Sequence, residues 1–215
     1  MALRFQWPLT IAAAIGVLVA GVMAAPVPKD PPKPRFADFD EAVAVEAGAR
    51  NNQRTSTNNL KRIALAYHNY CWANNDKLVQ NITDKDGKPL LSWRVQLLPY
   101  LEQRELYQKF KLDEPWDSAA NIKLVDKIPT VFESPRVKTK KGYTVYQGFH
   151  GNGAIFGSNY SIGNLPDGTS NTIFCLEATR AVPWTKPSDI PFDPKKDLPK
   201  FGKAFGDKPL AALCD

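Results

Sequence analysis

The stretch TSTNNLKRIALAYHNYCWANN at residues 55–75 decides the fold that the sequence predicts. Its apolar residues recur at spacings of three and four, which places them on one stripe of an α-helix. The stripe consists of Leu60, Ile63, Ala64, Tyr67, Tyr70 and Cys71. A helix with one apolar stripe is stable only when a sheet or other helices cover that stripe. We therefore expect this helix to lie at the centre of a packed domain, with Leu60, Ile63, Ala64 and Tyr67 as its core side chains.

The composition is that of a folded domain with a mildly basic surface. The chain has 215 residues, 43% of them hydrophobic, which is enough for one sizeable domain or two small ones. The formal net charge is +6, from 28 basic and 22 acidic residues, and the excess is mostly interspersed along the chain. A solvated surface is therefore favoured over a nucleic-acid-binding face.

The N-terminal residues predict export. A single charge, Arg4, precedes an apolar run at residues 9–23, and small residues close the run. This pattern predicts a signal peptide at residues 1–25 with cleavage after Ala24, and an uncleaved N-terminal membrane anchor is the alternative. Residues 26–38 form a Pro-rich spacer, which favours an extended conformation. We therefore expect an extracytoplasmic domain at residues 39–215, in the periplasm, at the cell surface or secreted, that meets a membrane only through the N-terminal segment.

The pattern beyond the spacer predicts an α+β domain. One long helix is expected from about residue 40 to residue 74, followed by short helical insertions in which Pro99 separates two pieces. From Pro129 onward, short β-type runs are separated by glycine-rich turns. These runs lie at residues 130–132, 143–146, 160–162, 172–176 and 210–214. The expected fold is a long N-terminal α-helix packed on a small antiparallel β-sheet, with short helical insertions.

The three cysteines do not form a recognisable metal or redox motif. Cys71, Cys175 and Cys214 have no CxxC spacing, which argues against a zinc site or a thioredoxin-type pair. In an exported protein, the three cysteines allow one disulfide with one thiol left over, and three free thiols are favoured equally. Cys175 and Cys214 both lie in short apolar runs and form the candidate pair, and three buried free thiols are the alternative.

The densest group of carboxylates lies around Pro115 and Trp116. Asp113, Glu114 and Asp117 bring oxygen ligands together in one loop, which is the kind of ligand that Ca²⁺ prefers. Helix capping by Asp117 and solvation of the other two account for the same residues without an ion. We therefore expect no cofactor, and Ca²⁺ at these three carboxylates is the one candidate ion.

The two histidines give no catalytic constellation. His68 lies beside the apolar stripe, and His150 lies in the glycine loop GFHGNG. Backbone N–H groups in such a loop can approach a small anion, but turn geometry explains the same glycines with nothing bound. No nucleophile elbow or phosphate-binding loop is present. No catalytic residue is therefore assigned, and a structural or binding role is favoured over an enzyme.

A second hypothesis comes from the same loop and from the tryptophans. A secreted hydrolase or carbohydrate-binding module would use the glycine loop at residues 148–157, with Trp93, Trp116 and Trp184 lining a sugar-binding surface. Packing between the helix and the sheet is the other interpretation of these tryptophans, because their rings bury a large area.

Four blocks carry a resemblance to a known family. They are ARNNQRTSTNNLKRIALAYHNY at residues 49–70, LSWRVQLLPYLEQRELYQKFKLDEPWDS at 91–118, DGTSNTIFCLEA at 167–178 and AVPWTKPSDIPFDP at 181–194. In this order they resemble a large bacterial family, abundant in planctomycetes, whose members carry a prepilin-type N-terminus and an uncharacterised extracellular domain. The resemblance implies a pilin-like or pseudopilin-like α+β fold outside the cytoplasm, and the family has no established activity to carry over.

The chain departs from that family's pattern at both ends. The basic-Gly-Phe-Thr-Leu-Ile-Glu cleavage motif is not found at the head of the helix. When the family's closing H-x9-D-G motif is aligned on Asp215, Phe205 takes the position of the histidine. The resemblance therefore implies a last strand that is truncated or incomplete at Asp215. The expected role is that of a cell-surface or periplasmic structural or binding protein, whose partners are other copies of itself or other cell-envelope proteins.

Overall fold

The computed structural model describes residues 45–46, 50–197, 205 and 209–215. Helices and mostly antiparallel strands alternate along these ranges, which confirms the predicted α+β class. The predicted signal peptide at residues 1–25, the spacer at 26–38 and the first residues of the predicted long helix lie outside the described residues. In the part of the chain that is described, no helix has the length and apolar content needed to cross a membrane.

The described elements follow one another in a simple order. The α-helices are α1 (Arg50–Ala73), α2 (Trp93–Gln96) and α3 (Arg104–Tyr107). The strands are β1 (Val45–Glu46), β2 (Ile82–Thr83), β3 (Pro89–Leu91), β4 (Val137–Lys138), β5 (Tyr143–Gln147), β6 (Phe149–His150), β7 (Ile173–Pro183), β8 (Ile190–Pro191) and β9 (Ala211–Leu213). Short 3-10 helices lie at Leu98–Leu101, Asn121–Lys127, Thr130–Phe132, Ile162–Asn164 and Thr169–Asn171.

Helix α1 buries the face that carries its apolar stripe. Leu60, Ile63 and Tyr67 are buried and Ala64 is half-buried. The ring of Tyr67 stacks on that of Phe174 in β7, with ring centroids 4.2 Å apart. We call the side of α1 that carries Leu60, Ile63 and Tyr67 its inner face, and this face packs on the sheet. Burying each of these large side chains contributes roughly 1.5–3 kcal/mol to the free energy of unfolding.

The sheet that α1 covers has three antiparallel strands in the order β5-β7-β9. The middle strand, β7, has 11 residues and is buried over most of its length. β9 lies at an edge, and no other described strand pairs with its free side. Side chains alternate along this strand, so that Leu210, Ala212 and Cys214 join the core beneath α1 while Ala211 and Leu213 are exposed. The edge strand therefore lies beside α1, and on its outer side its backbone pairs with no strand in the described part of the chain.

Two of the three candidate sugar-binding tryptophans belong to the core. Trp93 and Trp184 are completely buried, and Trp93 stacks on Phe156 with centroids 5.3 Å apart. Trp116 is half-buried, and the ammonium group of Lys186 lies 5.5 Å from its ring centroid. The interpretation as packing residues is therefore the correct one for Trp93 and Trp184.

The helix does not extend back to residue 40 as predicted. Val45–Glu46 form β1, which pairs antiparallel with β4, and α1 begins at Arg50. The physical reason lies in the sequence: β-branched Val45 and Gly48 both have low helix propensity. At Val45–Glu46 the chain therefore pairs with β4 as a short strand and does not continue the helix.

Two predicted strands are 3-10 helices in the structure. Thr130–Phe132 follows Pro129, whose φ of −65° starts the turn, and the carbonyl of Phe132 accepts a hydrogen bond from the Thr144 hydroxyl at 2.7 Å. The predicted run at residues 160–162 leads into Ile162–Asn164, where Ser161 and Asn164 form a capping box. In both places local bonds between side chains and backbone override β propensity.

Candidate binding surface

The most connected buried charge is the carboxylate of Glu177 on β7. Its Oε1 accepts hydrogen bonds from the hydroxyls of Ser56 at 2.6 Å and Ser134 at 3.2 Å. Its Oε2 forms an ion pair with Arg136 and accepts a bond from the backbone N–H of Leu210 at 3.0 Å. The carboxylate is completely buried and fully bonded, so it joins α1, the segment before β4 and the residue before β9, and it has no free capacity for a ligand.

A second buried ion pair fixes α2 against the sheet. Arg94 donates to the carbonyl of Tyr146 through Nε at 2.9 Å, to the hydroxyl of Ser92 at 2.6 Å and to Asp189 Oδ1 at 3.0 Å. Burial lowers the pKa of Arg94, although the Asp189 carboxylate beside it opposes the shift. Both side chains are almost completely buried. The pair therefore acts as a structural tie rather than as a reactive group open to solvent.

The three cysteines lie together on the inner side of α1. All three are buried and free in the structure, and the hydroxyl of Tyr67 lies near the thiols of Cys71 and Cys214. Burial raises the pKa of Cys71 and of Cys214 to about 11 and raises that of Cys175 further. The Cys175–Cys214 disulfide stays a prediction.

We expect these thiols to be unreactive in the folded protein. The thiolate is the reactive form, so a raised pKa leaves it scarce at pH 8, and burial also blocks the reagent. Ellman's reagent should therefore modify the native protein at least about 100-fold more slowly than the unfolded protein. Protein kept reduced should release three equivalents on unfolding. After air oxidation, a count of one together with a Cys175–Cys214 cross-linked peptide in a non-reducing digest would demonstrate that disulfide, and rapid native labelling would contradict the burial.

The glycine loop around His150 is explained by packing. A Cβ added to Gly148 would lie 2.1 Å from a ring carbon of buried Phe156, so the close approach of the backbone to this aromatic ring requires glycine there. His150 is exposed on β6, and its side chain makes no hydrogen bond or ion pair with any described residue. The loop therefore brings no acid or base to this histidine within the described ranges.

The side-chain amide of Asn121 holds together the backbone of the loop that carries the candidate calcium ligands. Asn121 is completely buried, and its Nδ2 donates to the carbonyls of Lys111 at 2.9 Å and of Glu114 and Pro115 at 3.1 Å. The candidate ligands Asp113, Glu114 and Asp117 surround this closure and are exposed or half-buried. Across the described residues no three His, Cys, Asp or Glu side chains are arranged to hold a metal ion. Ca²⁺ at these carboxylates stays a prediction.

The outward side of α1 carries an apolar surface that lies off the predicted stripe. We define the outer face of α1 as Arg54, Asn58, Lys61, Leu65, His68 and Trp72, which follow one another at spacings of four and three. Leu65 is 62% exposed and Trp72 is 85% exposed. Large apolar side chains at i and i+7 lie on one side of a helix, two turns apart. The described residues therefore leave two large apolar side chains, Leu65 and Trp72, uncovered on this side of the helix, while His68 between them is half-buried.

A groove lies next to the outer face. It has a volume of about 220 Å³ and runs between α1 and the edge strand, lined by Leu60, Lys61, Ala64, Ala212, Leu213 and Asp215. Leu213 on β9 is 36% exposed. Lys61 belongs both to the groove and to the outer face, so the two form one continuous surface.

The comparisons with known proteins leave the activity open. No curated protein and no solved structure matches the chain. Residues 46–136, which include α1, the outer face and the segment up to Arg136, match the model of an uncharacterised family described as a protein of unknown function, DUF1559.

Proposed function

We propose that this chain is an exported, pilin-like structural or binding domain of the cell envelope, which docks onto its partners through the outer face of α1. The leader pattern at residues 1–25 supports a location outside the cytoplasm. The packing of α1 along an antiparallel sheet supports the pilin-like plan. Docking is favoured over catalysis, because the buried carboxylates of Asp189 and Glu177 are held by ion pairs within the domain.

The observation that carries this proposal is the exposure of Trp72 and Leu65. Tryptophan and leucine usually bury most of their area, and tryptophan is enriched among residues that dominate binding energy. Here one is 85% and the other 62% exposed on the same face of one helix. Among the described residues, no packing contact explains this placement, since the core beneath α1 is supplied by the opposite side of the helix.

The experiment measures access to the outer face in cells and after purification. Asn69 is exposed and lies one turn from both Leu65 and Trp72, so Asn69→Cys introduces a thiol beside the docking residues without removing either. Lys123→Cys, exposed on the 3-10 helix Asn121–Lys127, is the matched control. A small membrane-impermeant maleimide is applied to intact cells that make the full chain. The three native thiols contribute little background because they are buried.

Both cysteines should be labelled in intact cells while a cytoplasmic marker protein stays unlabelled. Labelling at residue 69 should be at least about fivefold slower in cells than in the purified protein, because an interface excludes water and reagent. Labelling at residue 123 should be equal in the two settings. Protection of both residues in intact cells would contradict the location, and equal rates at residue 69 would contradict the docking.

A further inference from the structure

The charges of α1 restrict what its outer face can bind. The helix contains Arg50, Arg54, Lys61 and Arg62 and no aspartate or glutamate. Two copies of this helix packed face to face would bring these cations together without a carboxylate from either copy. In a parallel arrangement Lys61 meets Lys61, and in an antiparallel one the cations are desolvated against Leu65 and Trp72. Like charges at an interface disfavour association, so the outer face is not self-complementary.

The cations of the outer face have no ion-pair partner among the described residues. Arg54 and Lys61 are exposed, and neither forms an ion pair or a hydrogen bond through its side chain with a described residue. They precede the two apolar residues along the same face, so one half of the face is basic and the other half apolar. A solvated basic face would explain the cations, but it leaves the exposure of Leu65 and Trp72 without a reason.

The spacing indicates the shape of the partner. From Arg54 to Trp72 the outer face repeats every four and three residues, which is the spacing of the seam between two packed helices. The face is about 27 Å long, from 18 residues at about 1.5 Å each. A partner helix of the same length would present apolar residues to one half and carboxylates to the other.

We infer that the outer face of α1 binds an acidic amphipathic helix of another protein, with Leu65 and Trp72 as apolar anchors and Arg54 and Lys61 as partners for its carboxylates. This inference rests on the proposed function and names the chemistry of the partner. It replaces self-assembly through this helix with a heterologous contact, in which charge complementarity sets the orientation of the partner.

The first test adds charge reversal to the labelling experiment. Arg54→Glu/Lys61→Glu is introduced into the Asn69→Cys chain, and Lys109→Glu/Lys123→Glu, at two exposed lysines away from the outer face, is the matched control. The outer-face reversal should abolish the protection of residue 69 in cells, and the control reversal should preserve it. Protection that survives the outer-face reversal would overturn the acidic partner while leaving the docking function intact. Absence of protection in the unaltered chain would instead contradict the docking function.

The second test identifies the class of partner with defined probes. The purified full chain is titrated with a synthetic 21-residue amphipathic peptide of about three heptads, with leucine at the seam and glutamate beside it, and with the lysine version of that peptide. The glutamate peptide should bind, and Trp72→Ala or the outer-face reversal should weaken it at least about tenfold. The outer-face reversal should strengthen binding of the lysine peptide.

Phosphatidylglycerol vesicles serve as the competing probe. Vesicle binding that depends on Arg54, Lys61 and Trp72, together with no binding of the glutamate peptide, would overturn the inference in favour of a membrane surface. Equal binding of both peptides would likewise overturn it, because the cations would then not select the partner.

Discussion

Replacing Ile63 with aspartate is expected to abolish folding of the domain. Ile63 is completely buried at the centre of the inner face of α1. The variant loses the burial of an isoleucine side chain and forces a carboxylate into an apolar environment, so the free energy of unfolding should fall by more than about 4 kcal/mol. A loss of this size removes most of the stability of a typical domain. Urea denaturation followed by far-UV circular dichroism measures it.

Leu65→Asp is the matched control for this prediction. It places the same residue in the same helix only two positions away, at a side chain that is 62% exposed. The expected loss is below about 1 kcal/mol, mainly from the lower helix propensity of aspartate. A folded Ile63→Asp protein, or equal losses in the two variants, would show that α1 packs on the sheet through a different face.

A second large loss of stability is expected when Arg94 is replaced by methionine. The substitution keeps a long apolar stem but removes every donor of the guanidinium, which leaves the Asp189 carboxylate buried without its cation. Breaking a buried pair in this way costs about 3–5 kcal/mol. The free energy of unfolding from urea titration, with Arg104→Met at an exposed arginine of α3 as the control, measures the difference. The control should change stability by less than about 0.5 kcal/mol.

A double variant separates lost packing from the unpaired charge. Adding Asp189→Asn to Arg94→Met removes the stranded charge, so the double variant should recover at least about 1 kcal/mol relative to Arg94→Met alone. Asparagine keeps an Oδ1 that can accept the bonds from Trp93 and Gly148. A double variant less stable than the single one would therefore contradict the prediction, and it would show that the asparagine NH2 group at the buried, unpartnered Oδ2 position costs more than the stranded charge.

The regular parts of the fold follow from short-range patterns in the sequence. The three-and-four spacing around Ile63 predicts α1, and the β-branched and aromatic run at residues 143–146 predicts β5. Such signals depend on neighbouring residues alone. The start of α1 and the 3-10 helices at Thr130–Phe132 and Ile162–Asn164 depend instead on pairing with distant strands or on single side-chain bonds, which a local pattern does not contain.

The sequence around each buried charge indicates that the side chain is buried, but it does not indicate which charges form a pair. Arg94 lies within the apolar run LSWRVQLL, and Glu177 lies within IFCLEA. A charge inside an apolar run indicates a buried and paired side chain. The sequence does not say which cation pairs with which carboxylate, because Arg94 and Asp189 are separated by 95 positions and meet only in the folded chain.

The exposure of the outer face of α1 is not predicted from the sequence, for a different reason. Trp72 and Leu65 lie off the apolar stripe, and a search for core residues discards such positions. The signal that points to both of them is the presence of large apolar residues on the side of the helix opposite the stripe. Their exposure is a tertiary property, since it depends on whether another element of the domain covers that side of α1.

The bonding of Glu177 also affects when the domain can form during protein synthesis. Its carboxylate holds Ser56 near the start of α1 and the backbone N–H of Leu210 just before β9, so two distant stretches of chain converge on it. A nascent chain still lacking residues 209–215 would hold this charge without one of its donors and would leave β7 without its edge partner. The domain therefore gains the part of its stability that comes from this pairing and this hydrogen bond only after the last strand has left the ribosome.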